Sequence, residues 1–131
     1  MNAPLQPLVL VVEDNPVNLR LARTILEKSG YAVESAGDAE QGLARARELK
    51  PALVLMDVQL PGKDGLAATR ELKADPATRH IPVVAITAFA MQGDEERMRA
   101  AGCDGYIAKP IRYKEFLAEV ARRLERGASD G

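Results

Sequence analysis

Tryptophan is absent from this 131-residue chain, and three Tyr and two Phe are its only aromatics. A core without large rings has to be built from Leu, Val, Ile and Ala. The 47% hydrophobic content is enough to build one, within a length that suits one compact domain. A single cysteine, Cys103, excludes an internal disulfide and has no nearby partner for a CxxC or metal motif. It reads as a small buried apolar residue in a protein suited to a reducing cytosol. The one histidine, His80, lies in the loop-like stretch PATRHIP and reads as a surface residue, not a ligand or phosphate donor. Charge of one sign is also missing: 18 basic residues face 19 acidic ones, for a net charge of -1. That balance excludes a broad basic field for nucleic acid. The cluster Arg122, Arg123 and Arg126 reads as a solvated, dipole-compensating helix end. No apolar run reaches membrane-spanning length, so membrane insertion is not expected. The opening MNAPLQP lacks the basic and apolar regions of a signal peptide. Residues 1–7 and 127–131 read as short disordered tails around a domain at 8–126.

No fixed-period repeat is present, but short apolar runs alternate with helical patterns. LVLVV at residues 8–12 is continuous and β-branched, as a strand buried on both faces would be. Asn15 and Pro16 then form a helix start, Leu19, Ala22, Ile25 and Leu26 an apolar stripe, and Gly30 a stop. YAVESA at 31–36 predicts a second strand nearer an edge. Asp38 with Gln41 resembles a capping box, and its helix runs to about Lys50 before Pro51. ALVLM, leading into Asp57, predicts the third strand, and a helix follows from about Asp64 to Lys73. IPVVAIT at 81–87 is the fourth strand. Asp94, Glu95 and Glu96 suit the positive start of a short helix that stops at Gly102. DGYIA is the fifth strand. Tyr113, Phe116, Leu117, Val120 and Leu124 mark the apolar face of the last helix. Five strands alternating with five helices predict an α/β fold with a parallel sheet covered on both faces.

Such sheets carry their functional groups past the carboxyl ends of the strands. Glu13 and Asp14 follow the first strand, Asp57 ends the third, Thr87 and Ala88 end the fourth, and Lys109 and Pro110 follow the fifth. In a doubly wound order these groups converge. Three carboxylates in one crevice repel, and without a countercharge at least one pKa rises. A hard divalent cation, Mg²⁺, and Lys109 are the two available remedies. A cation beside a lysine is a site for a phosphoryl group, with Asp57 as the nucleophile. Thr87 would donate its hydroxyl to a phosphoryl oxygen, and Ala88 would leave room for the donor. The apolar LVLM is expected to deliver Asp57 to the sheet edge instead of burying it.

Together these segments resemble the receiver domains of two-component response regulators, the CheY-like fold with strand order 2-1-3-4-5. The resemblance spans about Leu8 to Leu124 and rests on VVEDNPVN, LVLMDVQLPGKDG, VVAITA and YIAKP. The stretch AFAMQGDEERMRAAGCDGYIAKPI further resembles DivK-type regulators of bacterial polarity and division. The resemblance implies that Asp57 is the phospho-acceptor and that Asp14 and Asp57 bind Mg²⁺, or Mn²⁺, directly. It implies that Glu13 holds a coordinated water and that the Gln59 backbone carbonyl is a further ligand. Lys109 would pair with the phosphoryl group, the bond before Pro110 would be cis, and Thr87 with Tyr106 would form the switch pair. Pro61 and Gly62 would shape the turn that aims the Gln59 carbonyl. The implied donor is a histidine kinase or a histidine phosphotransfer protein. The implied output is protein binding on the face of the fourth helix, fifth strand and fifth helix, in the cytoplasm.

The implied role is a switch, not an enzyme. A phosphohydrolase with an aspartyl-phosphate intermediate, as in haloacid-dehalogenase-like proteins, would want a second acid two positions after Asp57, where Gln59 stands. An adaptor that ignores phosphorylation is the other rival, and the full acidic and lysine set argues against it. Nucleotide binding is disfavoured, because neither GxGxxG nor GxxxxGK[ST] follows the first strand.

Overall fold

The computed structural model describes residues 6–60, 62, 64–88 and 92–130. Five strands and five helices alternate along them: β1 (Leu8–Val12), α1 (Pro16–Lys28), β2 (Ala32–Ala36), α2 (Ala39–Leu49), β3 (Leu53–Asp57), α3 (Gly65–Ala74), β4 (Val83–Thr87), α4 (Gln92–Ala101), β5 (Gly105–Ala108) and α5 (Tyr113–Asp130). The sheet is parallel, in the order β2-β1-β3-β4-β5. The winding reverses between β1 and β3, and a crevice opens there at the strands' carboxyl ends.

The helix starts follow local capping chemistry. The Asn15 side chain accepts from the Val17 and Asn18 amides at 2.9 and 3.2 Å, satisfying two donors that α1 itself leaves unpaired. Asp38 accepts from the Gln41 amide at 2.8 Å. The Gln41 side chain reaches back to the Gly37 amide at 3.3 Å, one residue before the reciprocal position of a regular capping box. Gly30 follows α1 with φ 94°, and Tyr31 N–H closes onto the Leu26 carbonyl at 3.0 Å.

Side chains alternate across the sheet. Val9, Val11, Leu53, Leu55, Val84 and Ile86 face α1 and α5, where Ile25, Leu26, Phe116 and Val120 meet them. Leu10, Val12, Val54 and Met56 face α2 and α3, against Leu43, Ala46 and Leu72. A smaller cluster joins Leu66, Ala85, Met98 and Ala101 under α4, with Cys103 and Tyr106 packed against it. Burial of Cys103 raises its thiol pKa, in keeping with an apolar role.

Several expectations shift. Tyr113 is 56% exposed, because it opens α5 one turn ahead of Phe116 and belongs to none of these clusters. The fourth strand begins at Val83, since Ile81 N–H is already bonded to the Thr78 carbonyl and Pro82 has no N–H to donate. Pro7, placed in a tail from sequence, accepts the Ala32 amide at 3.0 Å, while residues 1–5 lie outside the described part. The α5 backbone continues through Gly127 to Asp130, since one glycine weakens a helix by about 1 kcal/mol without forbidding it. Among the described residues no helix is long and apolar enough to cross a membrane.

Candidate functional site

Strand register assembles the site. Val12 lies beside Met56, Asp57 beside Ile86 and Thr87 beside Ala108. Residues immediately past β1, β3, β4 and β5 therefore end at nearly one level. Glu13 is anchored through its amide to the Ala36 carbonyl at 3.0 Å, and Lys109 through its amide to the Thr87 carbonyl at 2.7 Å. The backbone so aims both side chains at the end of β3.

One ligand atom from each of Glu13, Asp14 and Asp57 lies within 4.8 Å of the others. Asp14 is exposed at the mouth. Asp57 is 1% exposed and Glu13 3%. Asp57 thus stands at the sheet's carboxyl edge and is buried as well, which corrects the expectation that the edge would leave it open. Its charge is met locally. Lys109 Nζ donates to Asp57 Oδ2 at 3.2 Å and lies 3.7 Å from Glu13 Oε1. The Gln59 amide donates to Asp57 Oδ1 at 2.9 Å. The sequence points to Gln59 through its carbonyl and side chain; nothing local announces this contact of its amide. The Gln59 side chain is exposed.

Negative charge outweighs positive charge here. Burial, a hydrogen bond to Asp57 and the repulsion of its charge raise the Glu13 pKa from 4.5 to about 7, against the opposing pull of the Asn15 amide and Lys109. A carboxyl group that holds its proton to neutral pH marks a cluster one cation short of balance. All-oxygen donors of this kind suit a hard divalent ion.

Thr87 is buried at the end of β4, and Ala88 follows it, exposed. With Val58, Gln59 and Asp94, Thr87 borders a depression of about 190 Å³ beside the acidic cluster. Tyr106 is half-buried against Leu66, Ala85 and Met98. The Lys109–Pro110 bond is cis, and Gly62 has φ 75°. Pro61 lies outside the described residues.

Residues 9–121 match the model of the response regulator receiver domain family. The chain is 49% identical over 116 residues to the polar-differentiation response regulator DivK of Brucella anthropi, covering 88% of this chain and 94% of that protein. DivK of Brucella ovis matches to the same extent. Among solved structures, the receiver domain of the sensor histidine kinase PA1611 from Pseudomonas aeruginosa PAO1 is 37% identical. Its TM-score is 0.86, over 92% of this chain and 99% of that one. That structure has a magnesium ion coordinated in its active site cleft. A CheY-like receiver domain protein from Methanospirillum hungatei JF-1 superposes with TM-score 0.89 at 27% identity, covering 97% of this chain and all of the other. Sheet order, acidic crevice and these likenesses agree, and the chain belongs to the response regulator receiver domain family.

Proposed function

We propose that this chain is a phosphorylation-controlled switch of the DivK type, in which Asp57 accepts a phosphoryl group from a phosphohistidine. The donor is a histidine kinase or a histidine phosphotransfer protein. The observation that carries the reading is the buried Asp57 carboxylate, with Glu13 and Asp14 within 4.8 Å and Lys109 at 3.2 Å. Mg²⁺, or Mn²⁺ in its place, would be held by Asp14, Asp57 and the Gln59 carbonyl, with Glu13 acting through a water. Bound there, the cation would neutralise charge that spreads over the transferring oxygens.

The remaining steps belong to the chain's own residues. Lys109 turns from the Asp57 carboxylate to the incoming phosphoryl oxygens. Thr87 donates its hydroxyl to one of them, and Ala88 leaves the approach open. Tyr106 follows Thr87 inward and reshapes the surface of α4, β5 and α5. That surface carries a depression of about 220 Å³ lined by Glu95, Met98, Arg99, Tyr106, Glu119 and Arg122, a mixed apolar and charged site for a protein partner. The likeness to DivK supports a role in polarity or division control, exerted in the cytoplasm.

Incubation with a small acyl-phosphate donor, with and without Mg²⁺, read by intact mass, tests the mechanism. The wild type gains one phosphoryl group only with the cation, and Asp57→Asn gains none. Equal gain by both proteins would defeat it.

A further inference from the structure

Gly65 opens α3 directly beside the end of β3. Its φ is not positive, so backbone conformation does not demand glycine there. At the first position of α3, just after the Asp64 cap, helix propensity does not call for glycine either. Close approach is what requires it. A Cβ on Gly65 would fall onto the Asp57 carbonyl oxygen, 2.9 Å from the carbonyl carbon and 3.0 Å from Val58 Cα. These are backbone atoms, and unlike the end of a long side chain they cannot swing aside.

Two hydrogen bonds lock the approach. Gly65 N–H donates to the Val58 carbonyl at 3.2 Å. The hydroxyl of Thr69, fully buried one turn later, donates to the Gly65 carbonyl at 2.8 Å. The start of α3 is thus seated on the peptide that carries Asp57, while the Gln59 amide holds the Asp57 carboxylate from the same loop.

We propose that Gly65, held by Thr69, is a positioning residue for Asp57: it sets the backbone from which the accepting carboxylate and the Gln59 peptide group are aimed. This inference rests on the phosphoryl-transfer reading above. A Cβ would push the Asp57 peptide aside by something on the order of 1 Å, enough to cost a reaction about 100-fold.

The test uses three variants of the full chain. Gly65→Ala adds the Cβ. Thr69→Val keeps side-chain volume and removes the hydroxyl. Gly102→Ala is the control: with φ 103° it is strained as alanine, yet the atoms nearest its Cβ would be those of the Lys73 side chain, at the end of the sheet away from Asp57. Three quantities are read: folded fraction, Mg²⁺ dissociation constant, and rate of phosphoryl gain from acetyl phosphate per folded molecule. The Gln59 amide NMR position in the metal-free protein supplies a readout independent of reaction. Gly65→Ala is expected to slow phosphoryl gain about 10- to 100-fold and to weaken Mg²⁺ binding. Thr69→Val does so several-fold, and both move the Gln59 resonance. Gly102→Ala lowers stability alone. Wild-type rate, affinity and Gln59 position in the two site variants overturn the proposal, as does an equal loss in Gly102→Ala. If Gly65→Ala does not fold, an unchanged Thr69→Val overturns it. A wild type that neither binds Mg²⁺ nor gains a phosphoryl group defeats the parent reading instead.

Discussion

Glu13 links metal binding to protons. Its pKa of about 7 in the metal-free protein leaves it mostly protonated at pH 6 and mostly ionised at pH 8. A cation that draws on its carboxylate, directly or through a water, has to displace that proton. Single-site competition then puts the Mg²⁺ dissociation constant about 10-fold higher at pH 6 than at pH 8, with about 0.9 proton released per ion at pH 6 and about 0.1 at pH 8. Calorimetric titration in buffers of different ionisation enthalpy measures both numbers. Glu13→Gln removes the titrating group, so its Mg²⁺ affinity is lower and nearly flat over the same interval. The same proton sets a stability trend of definite sign. Because the folded-state pKa lies above the ordinary 4.5, the folded protein binds the proton more tightly than the unfolded chain does. Metal-free stability is therefore highest below pH 4.5 as far as this group is concerned. It falls as pH rises through 7, by at most roughly 3 kcal/mol. Saturating Mg²⁺ should remove that decline. A dissociation constant that changes less than about twofold between pH 6 and 8, or a tenfold dependence retained in Glu13→Gln, refutes the reasoning.

Three further outcomes are expected. Lys109→Ala deletes the cation 3.2 Å from Asp57 and 3.7 Å from Glu13. Mg²⁺ should bind at least as tightly above pH 8, while the phosphorylated form no longer changes the Tyr106 environment by NMR. Phe116→Ala empties a fully buried site between α5 and the sheet, and denaturant unfolding should show a loss of about 3–5 kcal/mol. Asn15→Ala removes the cap that serves the Val17 and Asn18 amides, costing about 1 kcal/mol by the same assay and leaving Asp57 phosphorylation intact.

Local chemistry is written plainly in this chain. Capping residues, glycine stops and apolar periodicity place five strands and five helices, because each depends on neighbours within a turn or two. The polar residues stand just past strand ends for the same reason: an apolar run stops where the chain leaves the core. Strand order is another matter. Periodicity is silent on which strands pair, and only the order β2-β1-β3-β4-β5, with Asp57 level with Ile86, brings Glu13, Asp57, Thr87 and Lys109 to one crevice.

Contacts between distant segments stay hidden for the same physical reason. Tyr113 fits the helical stripe, but no core cluster reaches it. The Lys73 ammonium joins Asp104 at 3.0 Å and the Ile81 carbonyl at 2.8 Å, contacts to segments that no local pattern links to α3. Gly65 carries a weak signal, a glycine in the first turn of a helix with no conformational need for it, and its meaning emerges only from the Asp57 carbonyl lying against it. Sequence alone placed the polar candidates at the ends of particular strands and marked out the elements that carry them. The tertiary structure alone decided that Asp57 is buried, that the Glu13 pKa rises to about 7, and that the start of α3 packs against the Asp57 peptide. Desolvation, charge proximity and steric contact depend on distances through space, and those are set only when the strands pack.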